Sequence, residues 1–370
     1  MIKIKRPQIF TSRSDLPKGT RRIDILEGAL QELFFVEYPH FKKGDPSAML
    51  QLKRFLEQTD IKGIWIYYPW HQLAIYAPPE DVYFRLRTAR NRDLITTGEQ
   101  LAYRASVVGI AGLSVGSAVV SALVISGGPK KMKIADPDIA EVTNLNRIHA
   151  KLFDIGSNKC DIAAREAWEI DPFVDLQVWR QGLHRNNIRR FISGKPRLNI
   201  FIDEMDNIEL KIMCRMVCRD MHIPVVMATD NGDGVIVDVE RYDLEPKRPI
   251  FYGQIPEKEV GNMNDDQSLR MAIKIIDPAY FTERHQESIL NIGKSLSGVA
   301  QLGTSAAMAG AAVAYVVRRI VNKEQLPSGR YIMGCEHIFI PGYNDARQKK
   351  HRMERTKEFA QSFGISLRQI

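Results

Sequence analysis

The chain has 370 residues, 44% of them hydrophobic and 26% charged, which excludes disorder, collagen and coiled coil as descriptions of the whole. Its formal net charge of +8 is modest for this length, and its four cysteines contain no CxxC pair, so neither a disulfide scaffold nor a zinc ribbon is expected. The opening MIKIKRPQIF has no long apolar stretch before a cleavage site, and a cytoplasmic protein is expected.

Apolar residues at Ile23, Leu26, Leu30, Leu33 and Phe34 predict a helix over 20–35, and Met49, Leu52, Phe55 and Leu56 predict a second. GIWIYYPWHQLAIYAPP then reads as two β-rich runs around residues 69–72, a hairpin. Residues 1–85 are therefore expected to form a small α+β domain. The hairpin has the look of an exposed strand pair that could accept a peptide by strand addition. Its aromatics read as core and cover, because no Lys or Arg lies between Lys62 and Arg85 and single-strand binding needs basic and aromatic residues interleaved. Nucleic acid is not an expected partner.

From residue 101 the pattern becomes strand and helix in alternation. Strands are predicted at 106–109, 131–135, 176–179, 199–203 and 223–228, with helices at 115–125, 160–169 and 208–221. Apolar strands alternating with helices predict an α/β fold, a doubly wound, mostly parallel Rossmann-like sheet. Residues 86–245 form its core, and 246–342 complete it with a crossover segment and the Ala-rich stretch 295–321. That stretch is interrupted by Gln301, Thr304 and Ser305, so it reads as a buried helix suited to close packing or a subunit interface, with no membrane span. Residues 343–370 carry seven basic side chains and three acidic ones, a basic tail read as a solvated helix end or frayed terminus.

A glycine turn, VVGIAGLSVG, follows the 106–109 strand and opens a helix, with Gly109, Gly112, Ser114 and Gly116 as candidate phosphate contacts. The spacing departs from GxGxxG. Asp136 ends the next strand, where an acid can accept hydrogen bonds from ribose, and Asp138 follows it. These features fit NAD and ATP equally. The residues after them discriminate: Asn144, Asn146 and Arg147 in NLNR, Lys159 at a helix start, and Asp206 in IDEMDN. Arg and Lys can neutralise a triphosphate and a carboxylate can hold Mg²⁺, which suits adenylation better than hydride transfer.

The string IADPDIAEVTNLNRIHAKLFDIGSNKCDIAAREAWEIDPFVDLQVW, followed by IDEMDN, resembles the E1-like adenylyltransferases, which include ubiquitin-activating enzymes and the bacterial ThiF, MoeB and HesA proteins. The resemblance covers roughly residues 86–240. It implies that Asp136 binds the ATP ribose, that Asn144, Asn146 and Arg147 hold phosphates, that Lys159 contacts phosphate in the transition state, and that Asp206 binds Mg²⁺. It also implies a homodimer in which an arginine before the first core strand reaches the partner's ATP. Arg92 is the first candidate and Arg90 the second. The implied partner is a small carrier protein or peptide with a C-terminal carboxylate.

Fuller members of this group use a cysteine to accept the activated carboxylate. Between residues 228 and 334 there is no cysteine. Cys335, beside Glu336 and His337, is the late candidate, though a cysteine before the β-rich HIFIP run reads first as a packing residue. Cys160, Cys214 and Cys218 read as core. Asp230, Asp233 and Asp238 read first as turn residues and second as metal ligands. The expected mechanism stops at the acyl-adenylate. Two readings stand beside it: a NAD(P)- or FAD-dependent oxidoreductase, and a nucleotide-binding scaffold without catalysis.

Overall fold

The structure, a computed structural model, describes residues 4–255, 257 and 263–367. Part of the expected crossover and Arg368 of the tail lie outside these residues. The first sheet contains β1 (Gln8–Phe10), β2 (Arg21–Asp24), β3 (Ile64–Tyr68) and β4 (Leu73–Ala77) in the order β1-β3-β4-β2. Strands β3 and β4 are the expected hairpin, but β1 and β2 pair with their outer edges. The strand-addition reading is therefore corrected, because both hairpin strands have their backbone groups satisfied. The first helix also starts later than its apolar spacing suggests. Residues 21–24 pair in parallel with β4, and only then does the helix Leu26–Glu37 begin. Ile23 serves either pattern, and pairing with β4 decides.

This unit rests on the helix Lys159–Ile170. Trp70 Nε1 and His71 Nε2 meet Glu169 at 2.6 and 2.8 Å, and the Tyr83 hydroxyl donates to the Ile170 carbonyl at 2.7 Å. The aromatics are cover, as expected: the Trp70 ring lies 6.3 Å from that of Trp168, and Trp65 packs on Tyr76 at 4.9 Å.

The second sheet contains β5 (Val107–Ala111), β6 (Lys131–Ala135), β7 (Asp175–Trp179), β8 (Ile200–Asp203), β9 (Val225–Asp230), β10 (Gly234–Glu240) and β11 (Gly329–Gly334), in the order β11-β10-β9-β8-β5-β6-β7. The five strands β7, β6, β5, β8 and β9 are parallel; β10 adds antiparallel to β9, and β11 adds antiparallel to β10. The chain winds outward through β6 and β7, then returns to the other side of β5. The strand order reverses between β5 and β8, the place where an open α/β sheet leaves a crevice at its carboxyl edge.

The Ala-rich helix Gly303–Val321 is long and apolar enough to span a membrane, yet Ala309, Val313 and Val317 are fully buried in the core. A Cβ on Gly310 would sit 2.6 Å from the Ala118 carbonyl oxygen. The small residues thus admit the helix Val115–Ile125 within the same chain. The DNGDG turn leads into β10, where Asp238 is buried and paired with Arg330 at 2.7 Å. This corrects the reading of Asp238 as a turn residue or metal ligand. Residues 336–339 form a short helix where HIFIP suggested a strand. The basic tail is largely the helix Ala346–Ser362, ordered by Phe359 against Phe281 and by Gln286 Nε2 donating to Thr356 Oγ1 at 2.9 Å.

Candidate active site

Two loops meet in the crevice. Gly112, just after β5, has φ +88°, and a Cβ there would lie 2.2 Å from the Glu204 carbonyl oxygen of the loop after β8. Only glycine permits that approach. Ser114 then caps the helix Val115–Ile125, whose first amides have no partner within the helix and face the crevice mouth. Gly109 and Gly116 do other work. Gly109 is buried within β5 against Leu198 and Phe191, and Gly116 sits 3.1 Å from Ile110 Cγ2, measured from an added Cβ. Neither is among the residues that line the two cavities described below.

Asp136 stands at the end of β6, 4% exposed. Its Oδ2 accepts from the Leu113 amide at 2.6 Å and its Oδ1 from the Asp138 amide at 2.8 Å. Burial pushes its carboxyl up, against the pull of those two amides and of Lys159. It braces the glycine turn as well as facing the cavity beside it. Lys159 Nζ donates to Asp138 Oδ2 at 2.9 Å, with the lysine nearly buried and the acid open to solvent. Gly112, Ser114, Asp136, Asp138, Lys159 and Asp206 share one cavity of about 220 Å³. Leu183 and Leu210 give it an apolar side and Asn207 a further polar one, and none of these stands out as a site residue in the sequence.

A second cavity, of about 390 Å³, lies across Ser114, Glu204, Met205 and Asp206, which line both. Arg147 belongs to this one. Its Nε donates to Ser114 Oγ at 3.1 Å, and its Nη1 donates to the Thr143 carbonyl and to Asn146 Oδ1. Nη2 makes no hydrogen bond among the described residues, so a guanidinium edge is available at the junction. Asp206 is exposed there and makes no hydrogen bond or ion pair among the described residues. One free carboxylate next to a phosphate site suits Mg²⁺, which keeps several waters and takes its remaining ligands from phosphate oxygens. Among the described residues there is no group of three or more His, Cys, Asp or Glu that could form an all-protein metal site.

Asn144 and Asn146 act one step back. Asn144 is buried and its Oδ1 accepts from the Glu141 amide at 3.1 Å; Asn146 Nδ2 donates to the Gln301 carbonyl at 2.8 Å. They tie the loop carrying Arg147 to itself and to the start of the Ala-rich helix. Neither lines a cavity.

Arg90 and Arg92 are not brought to the crevice. They flank Asn91, which donates to the Ser126 carbonyl at the far end of the helix Val115–Ile125. That helix of 11 residues puts them about 16 Å from its N-terminus. Arg92 Nη1 is spent on the Val36 carbonyl at 3.4 Å, whereas Arg90 is exposed and has no partner among the described residues.

Beneath the junction lies a network that sequence reasoning missed. Asp203 is fully buried; burial pushes its carboxyl up, but Lys211 and Arg215 outweigh this and hold it below the usual range. Arg215, itself fully buried, also donates Nε to Glu240 Oε2 at 2.6 Å and stacks 3.8 Å over Phe251. Lys211 and Arg215 fall four apart on one face of the helix Ile208–Asp220, a spacing visible in the sequence. The neighbouring Glu204 accepts from the Ala228 amide at 3.0 Å, and burial pushes its carboxyl well up.

Cys160, Cys214 and Cys218 are buried, and burial raises all three thiols. Cys335 is half-buried and lines a separate cavity with His337, Tyr343 and Arg352, away from the junction.

The ThiF family model matches residues 88–355. An uncharacterized protein of Mycobacterium tuberculosis is 35% identical over 77% of this chain and 38% of its own length. The tRNA threonylcarbamoyladenosine dehydratase of Bacillus subtilis is 27% identical over 45% of this chain and 75% of its own. The ubiquitin-like modifier-activating enzyme 5 of Caenorhabditis elegans is 22% identical over 51% of this chain and 46% of its own. The chain thus spans less than half the length of two of these three relatives. Among solved structures, E. coli MccB with ATP aligns over 84% of each chain at 17% identity and TM-score 0.47.

Proposed function

Since the chain belongs to the ThiF family of E1-like proteins, we propose that it adenylates a carboxylate with MgATP, releasing pyrophosphate. The supporting observation is the junction: Ser114, Asp206 and the Arg147 guanidinium stand where a polar, loop-built cavity opens onto a larger apolar one. The smaller cavity takes the nucleoside, with Asp136 toward the ribose. The first-turn amides of the helix Val115–Ile125 and the free edge of Arg147 face the phosphates. The larger cavity takes the acyl group.

The carboxylate oxygen attacks the α-phosphorus, and the bond to the bridging oxygen of pyrophosphate breaks with its electron pair leaving on that oxygen. The protein supplies position and charge, with no covalent nucleophile of its own. Asp206 would hold Mg²⁺, which neutralises charge on the phosphates. Lys159 reaches the leaving phosphate by sharing or releasing Asp138. Arg90, unpaired among the described residues and remote from its own crevice, is the better candidate than Arg92 for reaching a partner's ATP in a homodimer. The acyl substrate is the C-terminal carboxylate of a peptide or small carrier protein.

Exchange of labelled pyrophosphate into ATP tests the reading. It should require a carboxylate and be lost in Asp206→Ala and in Arg147→Ala. Full exchange in both variants would refute the site, and tight NAD(P)H binding without MgATP binding would favour an oxidoreductase.

A further inference from the structure

We propose that the larger cavity receives a bulky apolar side chain borne next to the reacting carboxylate, so the substrate is a peptide or carrier ending in a large aliphatic or aromatic residue. This rests on the adenylation reading and specifies its acyl half. A glycine terminus would leave the space unfilled. The cavity measures about 390 Å³, and its far wall is Leu269, Ala272, Ile273, Ile276, Phe281 and Ile289. These residues come from the helices Asp265–Ile276 and Glu283–Leu290 and the turn between them. A wall of that composition rewards apolar area removed from water and penalises an unpaired charge.

Arg147 and Lys211 line the junction side of the cavity, and the polar groups nearer the apolar wall, Asp230 and His285, point the same way as that wall. Asp230, 5% exposed, already accepts from Ser305 Oγ at 2.8 Å and from Gln301 Nε2 at 3.2 Å, so it disfavours a second carboxylate beside it. His285 is also 5% exposed and lines the cavity, yet its ring makes no hydrogen bond among the described residues. It stacks on Phe281 at 5.0 Å between centroids. Burial pushes its pKa down to about 4, so the ring is neutral at physiological pH and offers one N–H and one lone pair without charge. A neutral imidazole in an apolar wall matches a neutral peptide N–H or C=O of the substrate, and leaves the adjoining space to a hydrocarbon.

The test is pyrophosphate exchange by the full chain with N-acetyl-Ala-Ala-X peptides, X being Gly, Ala, Leu, Phe or Asp, with MgATP affinity measured separately by titration. Leu and Phe are expected to exceed Gly in kcat/KM by about 10- to 100-fold, the range a filled hydrophobic pocket supplies, with Asp lowest. Ala272→Leu, which narrows the cavity, should lower the Phe value at least tenfold. The ratio of the Phe value to the Gly value should fall accordingly, with MgATP affinity titrated on the variant to show that the other cavity is still formed. Equal or better exchange with Gly overturns the inference, as does no exchange with any peptide while MgATP binds. Absence of MgATP binding would remove the adenylation reading itself, and this inference with it.

Discussion

The two cavities share Ser114, Glu204, Met205 and Asp206 and differ in almost everything else. The smaller is built by loops at the carboxyl ends of β5, β6 and β8 and is lined by Asp136, Asp138 and Lys159. The larger is walled by helices added after the parallel sheet is complete and is mainly apolar. The contrast separates what is common from what is particular. A nucleotide imposes the same charges and the same glycine approach on any protein that binds it, whereas an acyl group imposes only its own shape.

The largest expected effect removes the support beneath both cavities. Arg215→Ala would leave the buried carboxylate of Glu240 without its cation and Asp203 with Lys211 alone, at a cost of about 3–5 kcal/mol. Chemical denaturation should report this loss of stability as a lower midpoint with an unchanged slope. Asp206→Ala should separate the junction from its two neighbours. Exchange falls by about 10²- to 10³-fold while the unfolding midpoint stays within error, because Asp206 is exposed and makes no bond among the described residues.

The next effect belongs to the larger cavity alone. His285 has a native pKa near 4 against an ordinary value of 6.5. The unfolded chain therefore takes up a proton that the native state refuses, so stability is complete above about pH 6.5 and is lost as pH falls toward 4. The contribution is about 3 kcal/mol over that window. Denaturation midpoints of wild type and His285→Gln should diverge on this side only, with the wild type falling more steeply; parallel curves would show that the ring is not held neutral. A smaller change marks the nucleotide side. Gly112→Ala forces a side chain into a left-handed backbone and onto the Glu204 carbonyl, costing about 1–3 kcal/mol. It should weaken MgATP binding, as titration would show.

The same contrast explains what was legible in the sequence. The helix Val115–Ile125 and the strand Lys131–Ala135 fall on their predicted bounds, because buried parallel strands and their covering helices are continuous apolar runs. Asp136 at a strand end and Lys159 at a helix start stand out in the sequence as charged residues beside a glycine turn, and Arg147 and Asp206 as charged loop residues; the structure brings them to two adjoining cavities. Gly109 and Gly116 are ambiguous in the sequence, because packing against Leu198 or Ile110 leaves the same letter as contact with a phosphate. The helix Asp265–Ile276 went unread although Asn264 and Gln267 form its capping box. His285 and Lys211 could not be placed, because their meaning comes from helices that meet only in the fold.

The central claim is that the junction of the two cavities performs adenylation. The most direct measurement is carboxylate-dependent exchange of labelled pyrophosphate into ATP by the full chain, with Asp206→Ala measured alongside. The account predicts exchange that appears only with a carboxylate substrate and drops at least a hundredfold in the variant. Exchange that persists undiminished in Asp206→Ala would contradict it.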